Sequence, residues 1–252
     1  MLIDSHCHLD DERFASERDA VIQRARQVGV MQQVIPGCQA QHWQRIHDLC
    51  QQHDFLFPAY GLHPMFLSQH RPEHLQALAD WIEQKSAVAV GEFGLDFYLK
   101  DLDPKQQHYY FDAQLQIAKA SKRPVILHAR KSVDLILKQL RQVSGLRGVI
   151  HSFSGSLQQA QKLIDLGFYL GIGGVITYER AQKMRKLVQK LPLSAMVLET
   201  DAPDQPLSTH RGVNNEPAYL PEVAQTLAQL RQQPLAEIIM VTTTNTRQLF
   251  DL

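Results

Sequence analysis

The chain is poor in cysteine, has no excess charge of either sign and contains no long apolar run. Its three cysteines, Cys7, Cys38 and Cys50, cannot all pair with one another, and their spacing matches no structural zinc motif. A reducing, cytoplasmic setting therefore fits best. Lysine plus arginine and aspartate plus glutamate both number 26, so no global field draws the chain onto nucleic acid or an anionic membrane. Any polyanion would have to bind at a local site.

The sequence also shows no targeting signal and no glycine-rich loop of the kind that follows the first strand of a doubly wound sheet. No apolar run reaches the length of a transmembrane helix, and the residues from Met1 to His6 lack the basic end and apolar stretch of a signal peptide. We expect no membrane role, no obligatory protein partner and a monomer. A doubly wound open sheet would usually carry a glycine-rich loop after its first strand, where this chain has His6-Cys7-His8-Leu9-Asp10.

Short apolar runs alternate with longer amphipathic runs from end to end, which is typical of repeated βα units and a parallel sheet. Strands are predicted over Leu2 to His6, Val30 to Ile35, Phe57 to Leu62, Ala87 to Glu92, Pro124 to His128, Gly148 to His151, Phe168 to Gly171 and Met196 to Asp201. Helices are predicted over Phe14 to Val28, Gln41 to His53, Pro72 to Glu83, Pro104 to Ala120, Val133 to Val143, Leu157 to Leu166, Glu179 to Lys190, Glu222 to Gln232 and Leu235 to Phe250. Ser132 and Ser156 are predicted to cap the helices after the fifth and sixth strands. The pattern predicts an α/β fold, a TIM (β/α)8 barrel in a single domain spanning residues 1–252.

Potential metal ligands stand at the ends of five predicted strands. His6 and His8 are two residues apart on an extended segment, so both project to one face, whereas Cys7 points to the other face as a packing residue. The later strands end in Glu92, His128, His151 and Asp201. Because a parallel barrel gathers the carboxyl ends of its strands into one ring, these six side chains predict a metal site.

The number of ligands indicates more than one ion. A catalytic zinc takes three protein ligands and an open position, so six candidates suit two divalent ions that share a carboxylate. Such a pair activates water for hydrolysis of a phosphoester, an amide or a lactone. Imidazole and carboxylate ligands together accept Mg, Mn, Zn, Ni or Fe, so the identity of the metal stays open.

Several motifs, spread in order over nearly the whole chain, resemble those of the TatD-type deoxyribonucleases, a branch of the metal-dependent amidohydrolase superfamily. They are Ile3 to Asp10, Gly61 to Pro64, Gly91 to Asp96, Pro124 to His128, His151 to Gly155, Glu199 to Pro203, Asn215 to Pro217 and Asn245 to Phe250. The resemblance implies a TIM barrel with a divalent metal centre. It also implies hydrolysis of DNA phosphodiester bonds from an end through a metal-bound water, with DNA or another phosphoester bound at the barrel mouth.

The resemblance assigns the metal ligands. It implies that His6 and His8 hold one metal, that His128 and His151 hold the other, and that Glu92 bridges the two.

The same resemblance assigns roles towards the substrate. Asp201 would bind the first metal and accept a proton from the attacking water, which fits general-base logic. His63 would contact the scissile phosphate, although a histidine before Pro64 can also simply cap a turn. Arg130 and Arg211 are candidates for contacts with phosphate oxygens.

Three acidic residues are candidates for contacts with the far side of the metal ligands: Asp4, Asp96 and Glu199. Each could accept a hydrogen bond from a ligand imidazole and so fix its tautomer. Lys131 is either a further phosphate contact or an ordinary solvated lysine.

One position departs from the pattern of the resembled family. Many relatives carry an aromatic residue where this chain has Asp204, and an aspartate cannot stack on a base and would repel a phosphate chain. Tyr178 is a candidate to compensate in part.

The sequence leaves two other functions open. A hydrolase of a small amide, lactone or ester is the first alternative, including one that removes a misattached amino acid from tRNA. Many enzymes of that kind bridge their metals with a modified lysine on the fourth strand, whereas this chain has Gly91-Glu92 there. A metal-binding or nucleic-acid-binding protein without catalytic activity is the second alternative.

Overall fold

The fold is built on one sheet of eight parallel strands that pair in chain order. The structure, a computed structural model, describes all residues from Met1 to Leu252. The strands are β1 (Leu2–Asp4), β2 (Val30–Gly37), β3 (Leu56–Tyr60), β4 (Ala89–Asp96), β5 (Val125–Arg130), β6 (Gly148–Ile150), β7 (Phe168–Ile172) and β8 (Met196–Leu198). Every neighbouring pair from β1 to β8 is parallel, as the alternating pattern predicts.

The sheet closes on itself through the residues that follow β1 and β8. The backbone N–H of Ser5 donates to the carbonyl of Leu198 at 2.9 Å, and that of Asp201 donates to the carbonyl of His6 at 2.9 Å. These bonds join the first strand to the last, so the predicted TIM (β/α)8 barrel is confirmed. They also fix two predicted ligands, His6 and Asp201, beside each other.

The helices alternate with the strands and cover the outside of the barrel. They are α1 (Arg18–Gln27), α2 (Trp43–Gln52), α3 (Glu73–Gln84), α4 (Pro104–Ser121), α5 (Val133–Val143), α6 (Leu157–Asp165), α7 (Gln182–Lys190), α8 (Leu220–Arg231) and α9 (Leu235–Phe250). None of them combines the length and the apolar character that a bilayer span requires.

The serine caps have different outcomes. Ser156 forms a complete capping box, because its hydroxyl accepts from the N–H of Gln159 at 3.1 Å and the Gln159 side chain accepts from the N–H of Ser156 at 2.8 Å. The predicted cap at Ser132 is wrong. Its buried hydroxyl donates instead to the carbonyl of Leu95 at 2.6 Å, which ties the start of α5 to the end of β4.

The strand lengths differ from the prediction where the ligands lie. β4 continues to Asp96, beyond the predicted end at Glu92, because its last residues pair with β5. β1 and β8 stop at Asp4 and Leu198, before their predicted ends. The barrel therefore holds Glu92 on a strand, whereas Asp201 lies in the loop after one.

The interior of the barrel is sealed at one end. A small apolar cluster of inward-facing strand residues includes Val34, Ile126 and Val197, and Leu249 and Phe250 from the end of α9 pack against it. Arg147, just before β6, donates to the carbonyl of Leu249 at 2.7 Å, so this end of α9 lies at the amino-terminal end of the strands. The opposite end of the barrel stays open for a site.

Asp4 has a structural role that differs from the predicted one. Its buried carboxylate accepts from the N–H of His6 at 3.2 Å, from the N–H of Thr200 at 3.0 Å and from the hydroxyl of Thr200 at 2.5 Å. The prediction that Asp4 fixes the tautomer of a ligand imidazole is therefore corrected. It accepts from a backbone N–H of His6 and joins the end of β1 to the segment after β8.

We expect Asp4→Ala to lower the free energy of unfolding by about 3 kcal/mol, because three buried donors lose their acceptor. Asp54→Ala, at an exposed position, is the matched control and should change it by less than about 0.5 kcal/mol. Urea denaturation followed by circular dichroism measures both. Equal stability of the two variants would show that the Asp4 network contributes nothing to barrel closure.

Candidate metal centre

The open end of the barrel contains a cavity of about 830 Å³ at the carboxyl ends of the strands. Five of the six predicted ligands line it, and the sixth, His6, lies just beneath, with 1% of its surface exposed. The lining ligands are His8, Glu92, His128, His151 and Asp201. The fold therefore brings all six together, although they come from five different strand ends.

Four of these side chains form a first donor cluster. His6 Nε2 lies 3.2 Å from His8 Nε2, 3.2 Å from Glu92 Oε2 and 3.4 Å from Asp201 Oδ1. His8 Nε2 lies 3.7 Å from Glu92 Oε2 and 3.5 Å from Asp201 Oδ1. Ligands about 2.1 Å from a tetrahedral ion are about 3.4 Å apart, so the spacing of this cluster matches a coordination shell.

A second donor cluster surrounds the other oxygen of Glu92. Glu92 Oε1 lies 3.3 Å from His63 Nε2, 3.3 Å from His128 Nδ1 and 3.8 Å from His151 Nε2. This oxygen is buried and has no hydrogen-bond partner, although three imidazole nitrogens face it. A buried unpaired carboxylate oxygen is costly, so the residues present fit a cation at this point.

His63 caps a turn, one of the two roles that its sequence position left open, and its contact with a phosphate stays a prediction. Its Nδ1 accepts a hydrogen bond from the N–H of Met65 at 3.1 Å, which caps the turn after Pro64. The proton of the neutral ring is therefore on Nε2, which faces Glu92 Oε1. Burial lowers the pKa of His63 to about 4, so the ring is a neutral hydrogen-bond donor that points into the cavity.

Three of the four ligand imidazoles have an oxygen atom near the nitrogen that faces away from the donor clusters, whereas Nδ1 of His6 is buried without a partner. His8 Nδ1 lies 3.2 Å from the carbonyl of Pro36, and His128 Nε2 lies 3.2 Å from Asp96 Oδ2. His151 Nδ1 lies 3.3 Å from Glu199 Oε1. Such partners hold a proton on the far nitrogen and leave the near nitrogen free to bind a metal. The structure thus places Asp96 and Glu199 where the sequence predicted them.

Two glycines make room for this arrangement. A Cβ on Gly171 would lie 2.2 Å from Glu199 Oε2, so only glycine leaves space for that carboxylate. A Cβ on Gly94 would lie 2.0 Å from the carbonyl oxygen of His128, and the φ of Gly94 is +158°. Both positions require glycine because a ligand or its partner lies against the backbone.

Asp201 is held by a residue that the sequence did not indicate. Gln205 Nε2 donates to Asp201 Oδ2 at 2.6 Å, and Gln205 Oε1 accepts from the hydroxyl of Ser152 at 3.0 Å. Asp201 itself has a φ of +59° and only 9% of its surface exposed. No periodicity or motif in the sequence singles out Gln205, since its role depends on the folded loop after β8.

Two cysteines near the centre have different surroundings. Cys7 is fully buried, with its thiol 3.8 Å from the carbonyl of Ala202, as expected for a packing residue. Cys38 lines the cavity, with Sγ 3.9 Å from Glu92 Oε2. No sequence pattern indicates a role for Cys38, because it follows β2 without a second ligand-type residue nearby.

The titratable groups show how strongly the centre attracts positive charge. Burial favours neutral imidazole, but nearby carboxylates raise the pKa of His8 to about 9 and that of His151 to about 10. Burial likewise acts to raise the pKa of Glu92 and Asp201, yet the facing imidazoles hold both well below their usual range. The two carboxylates are therefore ionised at neutral pH and attract either protons or a divalent cation.

The charged residues on one side of the mouth are paired with each other. Arg13 donates to both oxygens of Asp204, at 2.9 and 2.8 Å, and also to Asp11. Arg13 shares one positive charge between Asp204 and Asp11, so it compensates the charge of Asp204 only in part, and the expected repulsion of a phosphate chain stays a prediction. The missing stacking residue is not replaced by Tyr178, which lies outside the cavity lining and donates its hydroxyl to the carbonyl of Pro206 at 2.7 Å.

Of the two arginines predicted to contact the substrate, one lines the cavity and the other does not. Arg130 lines the cavity, whereas Arg211 lies outside the lining, with its guanidinium 5.1 Å from the Tyr178 ring centre. Lys131 is exposed, next to Arg130. The structure therefore brings Arg130 to the cavity and leaves Arg211 on the outer surface.

A (β/α)8 barrel whose mouth gathers imidazoles and carboxylates around a shared buried glutamate has the architecture of a metal-dependent hydrolase. The family model described as TatD related DNase matches residues 3–251. "Uncharacterized metal-dependent hydrolase YjjV" of Escherichia coli (strain K12) is 41% identical over 253 residues, covering 99% of this chain and 98% of that protein. "3'-5' ssDNA/RNA exonuclease TatD" of Erwinia tasmaniensis is 35% identical over 261 residues and is covered completely, as is this chain.

The solved structures agree with these sequence matches. The crystal structure of YjjV, a TatD homolog from Escherichia coli K12, has a TM-score of 0.96 and 40% sequence identity, covering 100% of this chain and 98% of that one. The chain belongs to the TatD-related DNase family. It is a metal-dependent hydrolase.

Asp96→Asn tests whether the partner of His128 contributes to metal binding. We expect metal affinity to fall by about 10- to 100-fold, because an amide can present its N–H groups to His128 Nε2 and no longer fixes the tautomer. Competition with a chromophoric chelator measures the affinity. Asp101→Asn, at an exposed position in the loop after β4, is the control. Equal affinities for the two variants would contradict the role of Asp96.

Metal affinity should increase as the pH rises from about 6 to about 9, with release of protons on binding. Metals bind neutral imidazole, whereas the raised pKa values of His8, about 9, and His151, about 10, keep both rings protonated at neutral pH when no metal is bound. Calorimetric titration in buffers of different ionisation enthalpy measures the protons released. An affinity that does not change with pH would contradict this description.

Proposed function

We propose that this chain is a deoxyribonuclease that cleaves DNA phosphodiester bonds from an end with two divalent ions bridged by Glu92. The observation that carries the proposal is the division of the Glu92 carboxylate between two donor clusters. Oε2 faces His6 and His8, and Oε1 faces His128 and His151, all within 3.2 to 3.8 Å. A carboxylate in this position suits two adjacent cations better than one.

The ligands of each ion follow from this division. His6, His8 and Asp201 would hold the first ion, and His128 and His151 would hold the second. Divalent ions in this position supply Lewis acidity, which polarises a phosphoryl oxygen and makes water acidic enough to react. Mg, Mn, Zn and Ni all fit a mixed set of imidazole and carboxylate ligands.

Asp201 is the proposed proton acceptor. Its Oδ1 faces the first donor cluster, and its Oδ2 accepts one hydrogen bond from Gln205. A carboxylate has about four lone-pair sites, so Oδ2 keeps one that can take a proton from the attacking water. Gln205 holds the carboxylate in this orientation.

His63 and Arg130 are the proposed contacts of the phosphate. The neutral ring of His63 carries its proton on Nε2, which points into the cavity beside Glu92 Oε1 and can donate to a phosphate oxygen. Arg130 lines the same cavity and brings a permanent positive charge. The name of the Erwinia relative, an exonuclease of single-stranded DNA and RNA, supports a nucleic acid end as substrate.

The first rival is a hydrolase of a small amide, lactone or ester, including an aminoacyl ester on tRNA. The paired rim charges of Arg13, Asp11 and Asp204 favour it, since one side of the mouth offers no free positive charge to a polyanion. A nuclease should lose affinity steeply with salt, whereas a hydrolase of small uncharged esters should not.

The decisive experiment supplies metal-free protein with Mg or Mn and adds end-labelled single-stranded DNA. We expect a metal-dependent ladder of shortened products, whose rate falls by about 10²- to 10⁴-fold in Asp201→Asn. Asp54→Asn, at an exposed position, should cleave like the wild type. The same gel shows the polarity of cleavage.

Glu92→Gln tests the bridge itself. An amide has a single acceptor oxygen, so the variant should hold at most one ion per chain where the wild type holds two, as measured by elemental analysis after dialysis. Glu83→Gln, at an exposed position, is the control. Two ions per chain in Glu92→Gln would contradict the bridge. Absence of DNA cleavage by fully metal-loaded wild type would favour the small-ester rival.

A further inference from the structure

A tyrosine and two cations form a cluster at the edge of the metal centre. The Arg130 guanidinium carbon lies 3.8 Å from the centre of the Tyr98 ring, and Lys131 Nζ lies 4.8 Å from it. Tyr98 is half-exposed, with 50% of its surface accessible, and Arg130 lines the cavity. Tyr98 and Lys131 lie outside the cavity lining, directly beside Arg130, so the cluster presents an aromatic surface and two positive charges at the rim of the mouth.

The cluster is fixed to the metal centre through one buried carboxylate. Asp96 Oδ1 accepts from the N–H of Tyr98 at 2.8 Å and from the N–H of Leu99 at 3.2 Å. Asp96 Oδ2 lies 3.2 Å from Nε2 of the ligand His128. Arg130 follows His128 by two residues on β5, which is about 6.6 Å along a strand. The cluster thus lies next to the second donor cluster, two residues further along β5.

The two cations differ from the other cations of the mouth because they lack a close carboxylate. Arg13 is bound to Asp11 and Asp204, and Arg45 to Glu12. By contrast, the nearest carboxylate oxygen to Arg130 lies 3.9 Å away, beyond hydrogen-bond distance, and the side chain is 47% exposed. The N–H groups of Arg130 therefore remain available to a ligand.

The chemistry of this cluster fits a nucleotide. Nucleobases stack on tyrosine rings and on the planes of guanidinium groups, whatever their sequence. Arginine and lysine bind phosphate oxygens. An aromatic ring beside two available cations therefore matches a base together with its phosphate.

We propose that Tyr98, Arg130 and Lys131 form a subsite for the nucleotide next to the one whose phosphate is cleaved. Its base stacks on the part of the Tyr98 ring that Arg130 leaves exposed, and its phosphate is bound by Arg130 and Lys131. This inference rests on the proposed function, since it requires a nucleic acid strand at the metal centre. It locates the track of that strand along the side of the mouth formed after β4 and β5.

Tyr98→Leu tests the subsite with two substrates of different length. A short single-stranded oligodeoxynucleotide carries a neighbouring nucleotide that reaches the subsite, whereas the chromogenic diester bis(p-nitrophenyl) phosphate has neither a nucleobase nor a second phosphate. We expect KM for the oligonucleotide to rise about tenfold with little change in kcat, and kcat/KM for the diester to fall far less. Tyr98→Phe, which keeps the ring, should restore the low KM.

Lys131→Gln tests the phosphate contact. The logarithmic dependence of oligonucleotide affinity on salt should become shallower by about one contact, or about 0.7 in slope for a single strand. Lys85→Gln is the matched control, because Lys85 also lies over an aromatic ring, 5.4 Å from Trp81, but belongs to the end of α3. The Lys85→Gln variant should cleave the oligonucleotide with the same rate and the same salt dependence as the wild type. Thermal unfolding and metal content of each variant show whether the fold and centre are intact.

The two proposals fail in different ways. If the wild type cleaves both substrates and Tyr98→Leu changes their kcat/KM equally, or Tyr98→Phe does not restore KM, the subsite is overturned and the cluster only supports the loop beside His128. If the wild type hydrolyses the diester but not the oligonucleotide, the proposed nuclease function itself fails and the subsite with it.

Discussion

The site depends on the burial of one carboxylate, that of Glu92. Only 2% of the surface of Glu92 is exposed, and its Oε1 has no hydrogen-bond partner. An ionised carboxylate in such a place needs positive charge on both oxygens. The barrel provides imidazoles on one side from the segment after β1 and on the other from β5 and the end of β6. The cleft between them is where cations fit.

Three carboxylates outside the donor clusters hold the ligand residues in their orientations. Asp96 and Glu199 lie behind His128 and His151, and Asp4 holds the backbone of His6 beside Thr200. Each of these groups is itself bound by N–H donors, so the orientation of the inner ligands is determined by the fold rather than by a bound ion. A centre arranged in this way loses little conformational freedom on binding metal.

The mouth of the barrel is electrostatically uneven although the whole chain is neutral. On one side Arg13 is bound to Asp11 and Asp204, which leaves no free positive charge for a ligand. On the other side Arg130 lies over Tyr98 with its N–H groups available. Net charge therefore says little about the substrate of this protein, because local pairing decides which charges a ligand meets.

The sequence by itself determined the barrel and the six donor side chains. Alternating apolar and amphipathic runs report burial and helical period, and strand ends converge in a parallel barrel whatever their detailed packing. Only the tertiary structure decided the division of the Glu92 oxygens, the true partners of Asp4, the pairing of Arg13 with Asp204 and the hold of Gln205 on Asp201. Arg13 and Asp204 are 191 residues apart in the chain, and local sequence patterns do not report contacts between such distant side chains.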